Sequence, residues 1–519
     1  MATHFDVVIV GAGLSGIGAA HRLQTHCPGK SYAILEARDA IGGTWDLFRY
    51  PGIRSDSDMF TLGYPFKPWR DPRSIAPGAS ILSYVRETAA ELGIDRHVRF
   101  DTRVVGADWS SADAVWTLEV EEGAPDGGVV RRTLTCGFLH SCAGYYDYEQ
   151  PHVPAFAGAE DFTGELVVPQ FWPEDLDYSG RRVVVIGSGA TAVTLVPAMA
   201  TGPDAAAHVT MLQRSPTWIA AVPGRDRFAD GLRERLPPRL AHRLVRGKNV
   251  LWNLGFYQFC QRRPELAKRL LLGLTAKAVG PELAAEHFTP SYRPWDQRFC
   301  ATPDADLFEV IRDGRAEVVT DHVDRFVPEG IRLRSGRVLE ADVVVSATGL
   351  TLLAFGGIAP SVDGRRVELS EQFVWRGAMV TGLPNFAVCM GYTNASWTLR
   401  ADLSNRLVCK VLNHMDAHDY ASVVPRPDRR LEELPLLDLK SGYVQRSIAD
   451  FPRQGHVGPW KVRQNYLLDS ATTLRGNLSR TLEGTPRRPC AGEHSSSASE
   501  PEEGRRWTSF SGSSPWSWR

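Results

Sequence analysis

The feature that most constrains this chain is a unit of strand, glycine-rich turn and helix that occurs twice. The first copy is FDVVIVGAGLSGIGAAHRL, from Phe5, and the second is RRVVVIGSGATAVTLVPAM, from Arg181. Each begins with a short apolar run typical of a buried parallel strand, and its glycines fall where a helix begins. The N–H groups and the positive dipole end of such a helix bind a dinucleotide pyrophosphate. Two copies predict an α/β chain with two doubly wound dinucleotide-binding domains.

The first turn carries Gly11, Gly13 and Gly16 directly after the apolar run. The first glycine allows a tight turn, the second lets the backbone approach a pyrophosphate, and the third permits close packing of the helix on the strand. Glu36 ends the next apolar run, SYAILE, at the spacing of a carboxylate that binds ribose hydroxyls. A plain glycine-rich turn with a surface glutamate is the alternative, and the spacing favours the dinucleotide site.

The second turn has the form G-x-G-x-x-A, with Ala192 in the last position, and the strand after it, HVTMLQ, is followed by an arginine. A carboxylate there pairs with a free ribose hydroxyl, whereas a guanidinium offers bidentate hydrogen bonds to a 2′-phosphate. Arg214 therefore favours NADPH over NADH, with a solvated charge at a strand end as the alternative. The residues predicted to bind NADP(H) are Gly187, Gly189, Ala190, Thr191, Arg214 and Ser215.

The positions of the two turns divide the chain. Residues 1–150 are predicted to begin the FAD-type first domain, residues 151–349 to form the second domain, and residues 350–475 to return to the first. Alternating segments at 114–120 and 129–134 indicate antiparallel strands, and a further strand from 138 indicates the exit from the first domain. Helical periodicity predicts a helical insertion at about 223–288. The Ser-, Gly- and charge-rich segment 476–519 is expected to be a disordered tail.

Charge and apolar patterning exclude several classes of protein. A net charge of −1 over 519 residues gives no electrostatic basis for a nucleic-acid partner. The first residues lead into a strand without the features of a signal peptide, and no run of about 18 apolar residues predicts a spanning helix, so a cytoplasmic protein is expected. The eight cysteines form no C-x-x-C pair, so neither a metal site nor a redox-active disulfide is predicted.

Residues 42–58, GGTWDLFRYPGIRSDSD, are dense in glycine and aromatic residues without a secondary-structure period. A loop of this composition usually lines a site. It contains G-x-W-x-x-x-x-[FY]-P-G-x-x-x-D, matched by Gly43, Trp45, Tyr50, Pro51, Gly52 and Asp56. This pattern resembles the flavin-contacting segment of class B flavoprotein monooxygenases. The resemblance implies that FAD binds in the first site, with contacts from Gly11, Gly13, Gly16, Glu36, Gly43, Thr44, Trp45, Tyr50 and Asp56.

Residues 162–173, FTGELVVPQFWP, resemble the fingerprint F-x-G-x-x-x-H-x-x-x-W-P of the Baeyer–Villiger branch of the same family. Trp172 favours this branch over the related N-hydroxylating flavin monooxygenases. Val168, however, stands at the histidine position and can neither donate nor accept a side-chain hydrogen bond. Two interpretations follow: impaired coupling of NADPH use to oxygenation, or a tolerated substitution in a strand-like segment.

Over residues 4–475 the resemblance implies an enzyme that uses FAD, NADPH and O2. It implies insertion of one oxygen atom into ketones, or oxidation of sulfides and thioamides, through a C4a-peroxyflavin. The implied catalytic residue is Arg298, in PWDQRFC, which Asp56 orients; Gln297 stands where many members have lysine. Asn394 and Trp397, in TNASWTL, are expected to line the pocket.

The expected partners are therefore a small ketone or sulfur substrate and O2. Two alternatives are kept: an N-hydroxylating flavin monooxygenase, and a flavoprotein with impaired oxygenation that acts as an uncoupled NADPH oxidase or a binding protein. Residues 244–263 mix arginine with aromatic residues in a helical pattern. Such a helix more often packs as a lid than lies on a membrane, so membrane association is the less favoured interpretation.

Overall fold

The computed structural model describes residues 3–124, 127–297 and 299–487. Its first segment alternates between strands and helices. The strands are β1 (His4–Val10), β2 (Tyr32–Leu35), β3 (Val98–Arg99), β4 (Thr102–Ser110), β5 (Val115–Gly123) and β6 (Val129–Ser141). The helices are α1 (Leu14–His26), α2 (Thr44–Leu47), α3 (Met59–Leu62) and α4 (Gly78–Glu91).

The first sheet is built around β1, which lies parallel to both β2 and β6. Residues of β1 alternate between the two faces of the sheet, with Val7 and Ile9 in one apolar core and Val8 and Val10 in the other. Two segments that the sequence separates, 129–134 and the strand from 138, form the single strand β6. The first part of β6 pairs antiparallel with β5 and the last part pairs parallel with β1.

The second segment carries a second sheet and most of the helices. The strands are β7 (Glu165–Val167), β8 (Arg182–Ile186), β9 (His208–Gln213), β10 (Ile219–Val222), β11 (Cys300–Pro303), β12 (Ala316–Thr320), β13 (Val323–Val327), β14 (Gly330–Leu333), β15 (Val338–Glu340) and β16 (Val343–Ser346). The helices are α5 (Ala190–Met199), α6 (Arg227–Arg235), α7 (Pro238–Arg262), α8 (Pro264–Val279), α9 (Pro281–His287) and α10 (Asp306–Arg312).

Five parallel strands of this segment form one sheet in the order β12-β9-β8-β16-β7. Both faces of β8 are buried, with Val183 and Val185 in one core and Val184 and Ile186 in another. Burial on both faces explains why β8 reads as a continuous apolar run, as strands of parallel sheets do.

Helices α6 to α9 occupy the segment that the sequence predicts to be a helical insertion. Pro238, Pro264 and Pro281 each stand in the first turn of a helix, where the missing N–H leaves no intrahelical bond unmade. Gly280 ends α8 with a φ of +92°, a conformation that glycine adopts without strain. None of the described helices has the length and apolar character that a membrane crossing requires.

The last segment returns to the first sheet. Its strands are β17 (Ala359–Val362), β18 (Arg365–Arg366), β19 (Val374–Trp375), β20 (Met379–Val380), β21 (Phe386–Val388), β22 (Tyr420–Pro425), β23 (Glu433–Pro435), β24 (Arg453–Gly455) and β25 (Leu482–Pro486). Its helices are α11 (Trp397–Ala417), α12 (Gly442–Ser447) and α13 (Tyr466–Arg475). Strand β17 lies parallel to β4, and β21 lies parallel to β6. Helix α11 packs against α1, where Arg22 and Asp402 form an ion pair of 2.7 Å.

Ordered structure continues past residue 475, where the sequence predicts a disordered tail. Strand β25 pairs antiparallel with β22. Leu478 and Leu482 are buried in the same apolar core as Val7 and Ile9 of β1. The prediction is wrong for residues 476–487, because it weighed their polar composition and missed these two leucines. Residues 488–519, to which the rest of that prediction refers, lie outside the described residues.

Candidate active site

The first glycine turn joins β1 to α1 and leaves no room for side chains. Gly11 has a φ of +98°, and a Cβ atom there would lie 2.9 Å from the carbonyl oxygen of Cys142. A Cβ atom on Gly16 would lie 1.9 Å from the carbonyl oxygen of Gly11. Both positions therefore require glycine, and the close approach leaves the N-terminus of α1 available to an anionic group.

Glu36 lies just beyond the end of β2 and is only 6% exposed. Its carboxylate accepts hydrogen bonds from the backbone N–H groups of Ala12 (2.7 Å) and Arg38 (3.0 Å). Burial raises the pKa of this carboxyl group above its usual range, and the two N–H groups oppose that shift. Glu36 thus ties the end of β2 to the glycine turn.

Residues 42–58 form a loop that starts against this turn. Gly43 has a φ of +57°, and a Cβ atom there would lie 3.1 Å from the Cα atom of Gly13. The hydroxyl groups of Thr44 and Tyr148 are 3.1 Å apart. Tyr50 is buried, and burial raises the pKa of its hydroxyl to about 12. The Tyr50 hydroxyl therefore stays protonated and able to donate a hydrogen bond at neutral pH.

The same loop also contacts the helices of the second segment. Arg54 forms an ion pair with Asp306 at the start of α10, and its Nη2 donates to Asp306 Oδ1 over 3.2 Å. Asn253 in α7 donates from Nδ2 to Oδ2 of Asp58 over 3.2 Å. The loop predicted to contact the flavin therefore contacts both the first glycine turn and the helices α7 and α10 of the second segment.

The second glycine turn joins β8 to α5. Gly187 has a φ of +138°, and a Cβ atom there would lie 2.3 Å from the carbonyl oxygen of Ala347. A Cβ atom on Gly189 would meet no heavy atom within 4 Å. The backbone that follows β16 therefore fills the space beside Gly187. The space beside Gly189 is open, and Ala190, the first residue of α5, lies next to it. An open turn at a helix N-terminus is suited to a pyrophosphate.

Arg214 and Ser215 follow β9 at the edge of this turn, and both are exposed. Across the described part of the chain the Arg214 guanidinium has no carboxylate partner. A guanidinium without a protein partner can form a bidentate contact with a phosphate group.

Both glycine turns open into one cavity of about 900 Å³. The predicted site residues that line it are Gly11, Gly13, Glu36, Gly43, Thr44, Trp45, Tyr50, Asp56, Gly187, Gly189, Ala190, Thr191, Arg214 and Ser215. Gly16 is absent from the cavity wall and contributes through its packing on Gly11. Arg298 lies outside the described residues, whereas Gln297 beside it lines the cavity.

Aromatic side chains complete the wall, and the sequence patterns did not identify six of them: Tyr145, Tyr146, Tyr148, Phe156, Tyr392 and Tyr443. The Tyr145 ring lies 5.1 Å from the ring of Trp397, whose Nε1 donates to Ser15 Oγ over 2.8 Å. Asn394 does not line the cavity; its Nδ2 donates to the carbonyl oxygen of Gln464 over 3.0 Å. The expectation for Asn394 is wrong because its side chain turns toward the chain leading into α13. The adjacent tyrosines Tyr145 and Tyr146, which follow β6, are a sequence feature that could have indicated this part of the cavity wall.

Val168 lies between β7 and a turn of 3-10 helix, away from the cavity wall. Its carbonyl oxygen accepts the N–H of Phe171 over 3.0 Å. Gln170 is buried and donates from Nε2 to the carbonyl oxygen of Asp147 over 2.9 Å, and Trp172 packs against the core of the second sheet. The backbone of this segment is therefore held without a histidine side chain.

His140, Cys142 and Cys389 bring one nitrogen and two sulfur atoms within 4.8 Å of one another, and all three residues are buried. The sequence predicts no metal site, since these residues have no C-x-x-C spacing. Burial lowers the pKa of His140 to about 3 and raises the pKa of the Cys142 thiol. Metal binding requires deprotonated thiols, which this burial opposes.

Two sheets, each with a glycine turn that joins a parallel strand to a helix and opens into the same cavity, define the fold of an oxidoreductase with two dinucleotide sites. Residues 9–71 match the family model described as NAD(P)-binding Rossmann-like domain, and residues 59–229 match the one described as flavin-binding monooxygenase-like. The chain is 51% identical over 481 residues to the FAD-containing monooxygenase EthA of Mycobacterium tuberculosis, covering 92% of this chain and 97% of that protein. It is 49% identical over 471 residues to the EthA of Mycolicibacterium smegmatis, covering 90% and 94%. The chain belongs to the family of FAD-containing monooxygenases.

Solved structures show the same fold at lower sequence identity. The oxidized steroid monooxygenase bound to NADP superposes with a TM-score of 0.73 at 22% identity, covering 93% of this chain and 100% of that chain. The open crystal structure of cyclohexanone monooxygenase gives a TM-score of 0.69 at 19% identity, with the same coverage. At these identities the likeness concerns the fold alone.

Proposed function

We propose that this monooxygenase uses FAD and NADPH to insert one oxygen atom of O2 into ketones or to oxidise the sulfur of sulfides and thioamides. The observation that carries the proposal is the shared cavity: both glycine turns, the loop 42–58 and Gln297 line it. Such a cavity can hold two dinucleotides with their reactive rings near each other, which hydride transfer requires.

The first turn fits the pyrophosphate and ribose of FAD. Gly11 and Gly13 line the cavity, so a phosphate in it can approach the N–H groups at the start of α1. Glu36 lines the cavity and keeps acceptor capacity for a ribose hydroxyl beyond its two backbone contacts. Thr44, Trp45 and Tyr50 are proposed to contact the flavin from the loop.

The second turn fits NADP(H). The open space at Gly189 and the N-terminus of α5 suit the pyrophosphate, with Ala190 and Thr191 beside it. Arg214 and Ser215 are proposed to bind the 2′-phosphate, because the guanidinium is exposed and has donors to spare. This assignment favours NADPH over NADH.

When bound, FAD supplies the redox centre at which NADPH and O2 react. The chain's own residues position and enclose that chemistry. Tyr145 and Trp397 form an aromatic wall that keeps water from the reacting atoms. Arg298 is proposed to hold developing negative charge, since a guanidinium stays protonated, and Asp56, which lines the cavity, is proposed to orient it.

The proposed substrate class rests on the family and on the cavity. One relative of the same fold is named for cyclohexanone, a ketone, and another for a steroid. The aromatic wall suits an apolar molecule with one polar group. Seven cysteines of the described chain carry free thiols, which supports a reducing compartment such as the cytoplasm as the place of action.

Anaerobic reduction tests the cofactor assignment. The purified protein should carry the visible absorption of oxidised flavin and lose it when NADPH is added without oxygen. NADH should bleach the flavin at least about tenfold more slowly, because it lacks the phosphate that Arg214 binds. A colourless protein, or equal bleaching rates with both nucleotides, contradicts the assignment.

A further inference from the structure

The outer sides of α7 and α8 carry large apolar side chains in contact with water. Each of seven residues is between 45% and 71% exposed: Leu240, Leu244, Leu251, Trp252, Leu266, Leu270 and Leu274. Single exposed leucines are ordinary on protein surfaces, but a contiguous apolar patch marks a place where something else binds.

The spacing of six of these residues makes a stripe along each helix, while Trp252 lies about 100° around α7 from Leu251. Leu240, Leu244 and Leu251 fall within about 40° of one direction around α7, at about 100° per residue. On the opposite side of α7, Val245 and Val250 are buried against the protein. The three exposed leucines of α8 follow one another at intervals of four residues, which also keeps them on one side. Helix α7 therefore carries large apolar side chains on its outer side as well as buried residues on its inner side, which is typical of a helix covered on both.

The same surface is strongly basic. Residues 238–279 contain nine Arg and Lys and one carboxylate, Glu265. Six of the nine cations have exposed side chains and no carboxylate partner within the described ranges: Arg239, Arg243, Arg262, Arg263, Arg269 and Lys277. Of the others, Arg246 is buried, Lys248 pairs with Asp226, and Lys268 lies 3.4 Å from Glu265. The apolar stripes are thus flanked by uncompensated positive charge.

Helix α7 is anchored to the protein through the buried side chain of Arg246. Arg246 is 8% exposed, and its Nη1 donates to the carbonyl oxygens of Phe60 and Gly63 over 2.8 Å each. These bonds anchor the middle of α7 to α3 and the residues after it. The leucines therefore project outward from a fixed helix.

We propose that this outer surface of α7 and α8 docks on the surface of an anionic lipid bilayer. Leucine and tryptophan side chains enter the boundary between headgroups and acyl chains, while arginine and lysine contact lipid phosphates. A second copy of the chain is a poor occupant because it would bring two basic surfaces together. A nucleic acid offers phosphates but nothing apolar for the leucines.

Flotation of the full-length flavoprotein with vesicles tests the proposal. We expect the protein to float with vesicles of phosphatidylglycerol and phosphatidylcholine, and to float far less with phosphatidylcholine alone. Leu251→Ser combined with Trp252→Ser should lower the partition coefficient by at least about tenfold, because both side chains lose their apolar burial in the bilayer. Arg262→Gln combined with Arg269→Gln should also lower binding and weaken its dependence on anionic lipid.

The matched control is Val129→Ser combined with Val130→Ser on β6, where both valines are exposed (66% and 41%) and the neighbouring cations Arg131 and Arg132 are paired with Glu121 and Glu122. This control should bind vesicles like the unaltered protein, and all variants should oxidise NADPH at the unaltered rate in solution. Absence of flotation with anionic vesicles, or an equal loss of binding in the control, overturns the proposal. So does a change of oligomeric state in the Leu251, Trp252 variant without any vesicle binding, since the surface would then join two copies.

Discussion

Arg54 and Asp306 form an ion pair between the loop that follows the first glycine turn and the helix α10 beside the second sheet. The two residues are 252 positions apart in the chain. The Thr302 hydroxyl also donates to Asp306, and the N–H of Leu307 donates to that hydroxyl over 3.2 Å. The pair therefore fixes the loop 42–58 against the part of the molecule that carries the second glycine turn.

Arg54→Ala should lower the thermal midpoint of unfolding by about 2–5 °C, because a partly buried Asp306 loses its partner. Arg49→Ala is the matched control, since Arg49 pairs with Glu174 and both side chains are more than half exposed. An exposed pair contributes little, so the control should shift the midpoint by about 1 °C or less. Thermal melts of the two FAD-bound variants give the comparison, and equal shifts of the midpoint contradict a stabilising role of the Arg54–Asp306 pair.

Gly16→Ala tests the packing of the first turn. A Cβ atom at residue 16 would lie 1.9 Å from the carbonyl oxygen of Gly11, so the turn has to open and the pyrophosphate site is distorted. We expect FAD affinity to fall by at least about tenfold, equivalent to about 1.4 kcal/mol. Gly29→Ala is the control, because a Cβ atom there meets nothing within 4 Å. The flavin content of the purified variants and a titration with FAD give the two affinities. If Gly16→Ala binds FAD as tightly as Gly29→Ala, the packing of Gly16 is not required for FAD binding.

The sequence predicts those parts of the site that are set by local backbone geometry. Gly11 and Gly187 require positive φ values within short segments, so their motifs identify the two turns and the residues beside them. The Arg54–Asp306 pair has no such signature, because long-range pairing depends on how two sheets meet. Trp397 was expected in the cavity wall, but Tyr392 was missed, because it reaches the cavity only once the last segment has returned to the first sheet.

Composition proved a weaker guide than packing in the segment after residue 475. Leu478 and Leu482 stand in a polar segment, yet they are buried and place β25 beside β22. On α7 the sequence favours a packed lid, but helical periodicity alone does not tell which side chains, such as Leu251 and Trp252, face water. Hydrophobic periodicity and composition indicate where a helix or strand forms. Which of its side chains are buried depends on the segments of the same chain that pack against it.

Arg214→Ala should weaken selectivity for NADPH. Loss of the guanidinium removes charge-assisted hydrogen bonds to the 2′-phosphate, so the KM for NADPH should rise about tenfold or more while the KM for NADH changes by less than about twofold. Arg181→Ala is the control, because Arg181 is an exposed cation of the same segment that pairs with Glu165. Steady-state oxidation of both nucleotides gives the comparison, and a parallel rise of both KM values contradicts the role of Arg214.

Glu36 should make FAD binding depend on pH. Protonation removes the acceptor that a ribose hydroxyl needs, and burial raises the pKa of this carboxyl group, so the loss begins at a higher pH than for an ordinary glutamate, whose pKa is about 4.3. FAD affinity of the unaltered protein should fall as the pH is lowered from neutral toward about 5. Glu36→Gln should bind FAD more weakly at neutral pH and lack this dependence. Titrations followed by flavin fluorescence test this, and parallel pH profiles contradict it.

The stoichiometry of oxygen transfer tests the proposed monooxygenation directly. The purified enzyme, supplied with NADPH and oxygen-18 gas, is given a ketone in one reaction and a sulfide in another. We expect about one molecule of ester or sulfoxide for each NADPH consumed, with a single labelled oxygen in the product, despite Val168. If hydrogen peroxide accounts for all the NADPH and no labelled product forms, the chain is an uncoupled oxidase and the proposed monooxygenation is wrong.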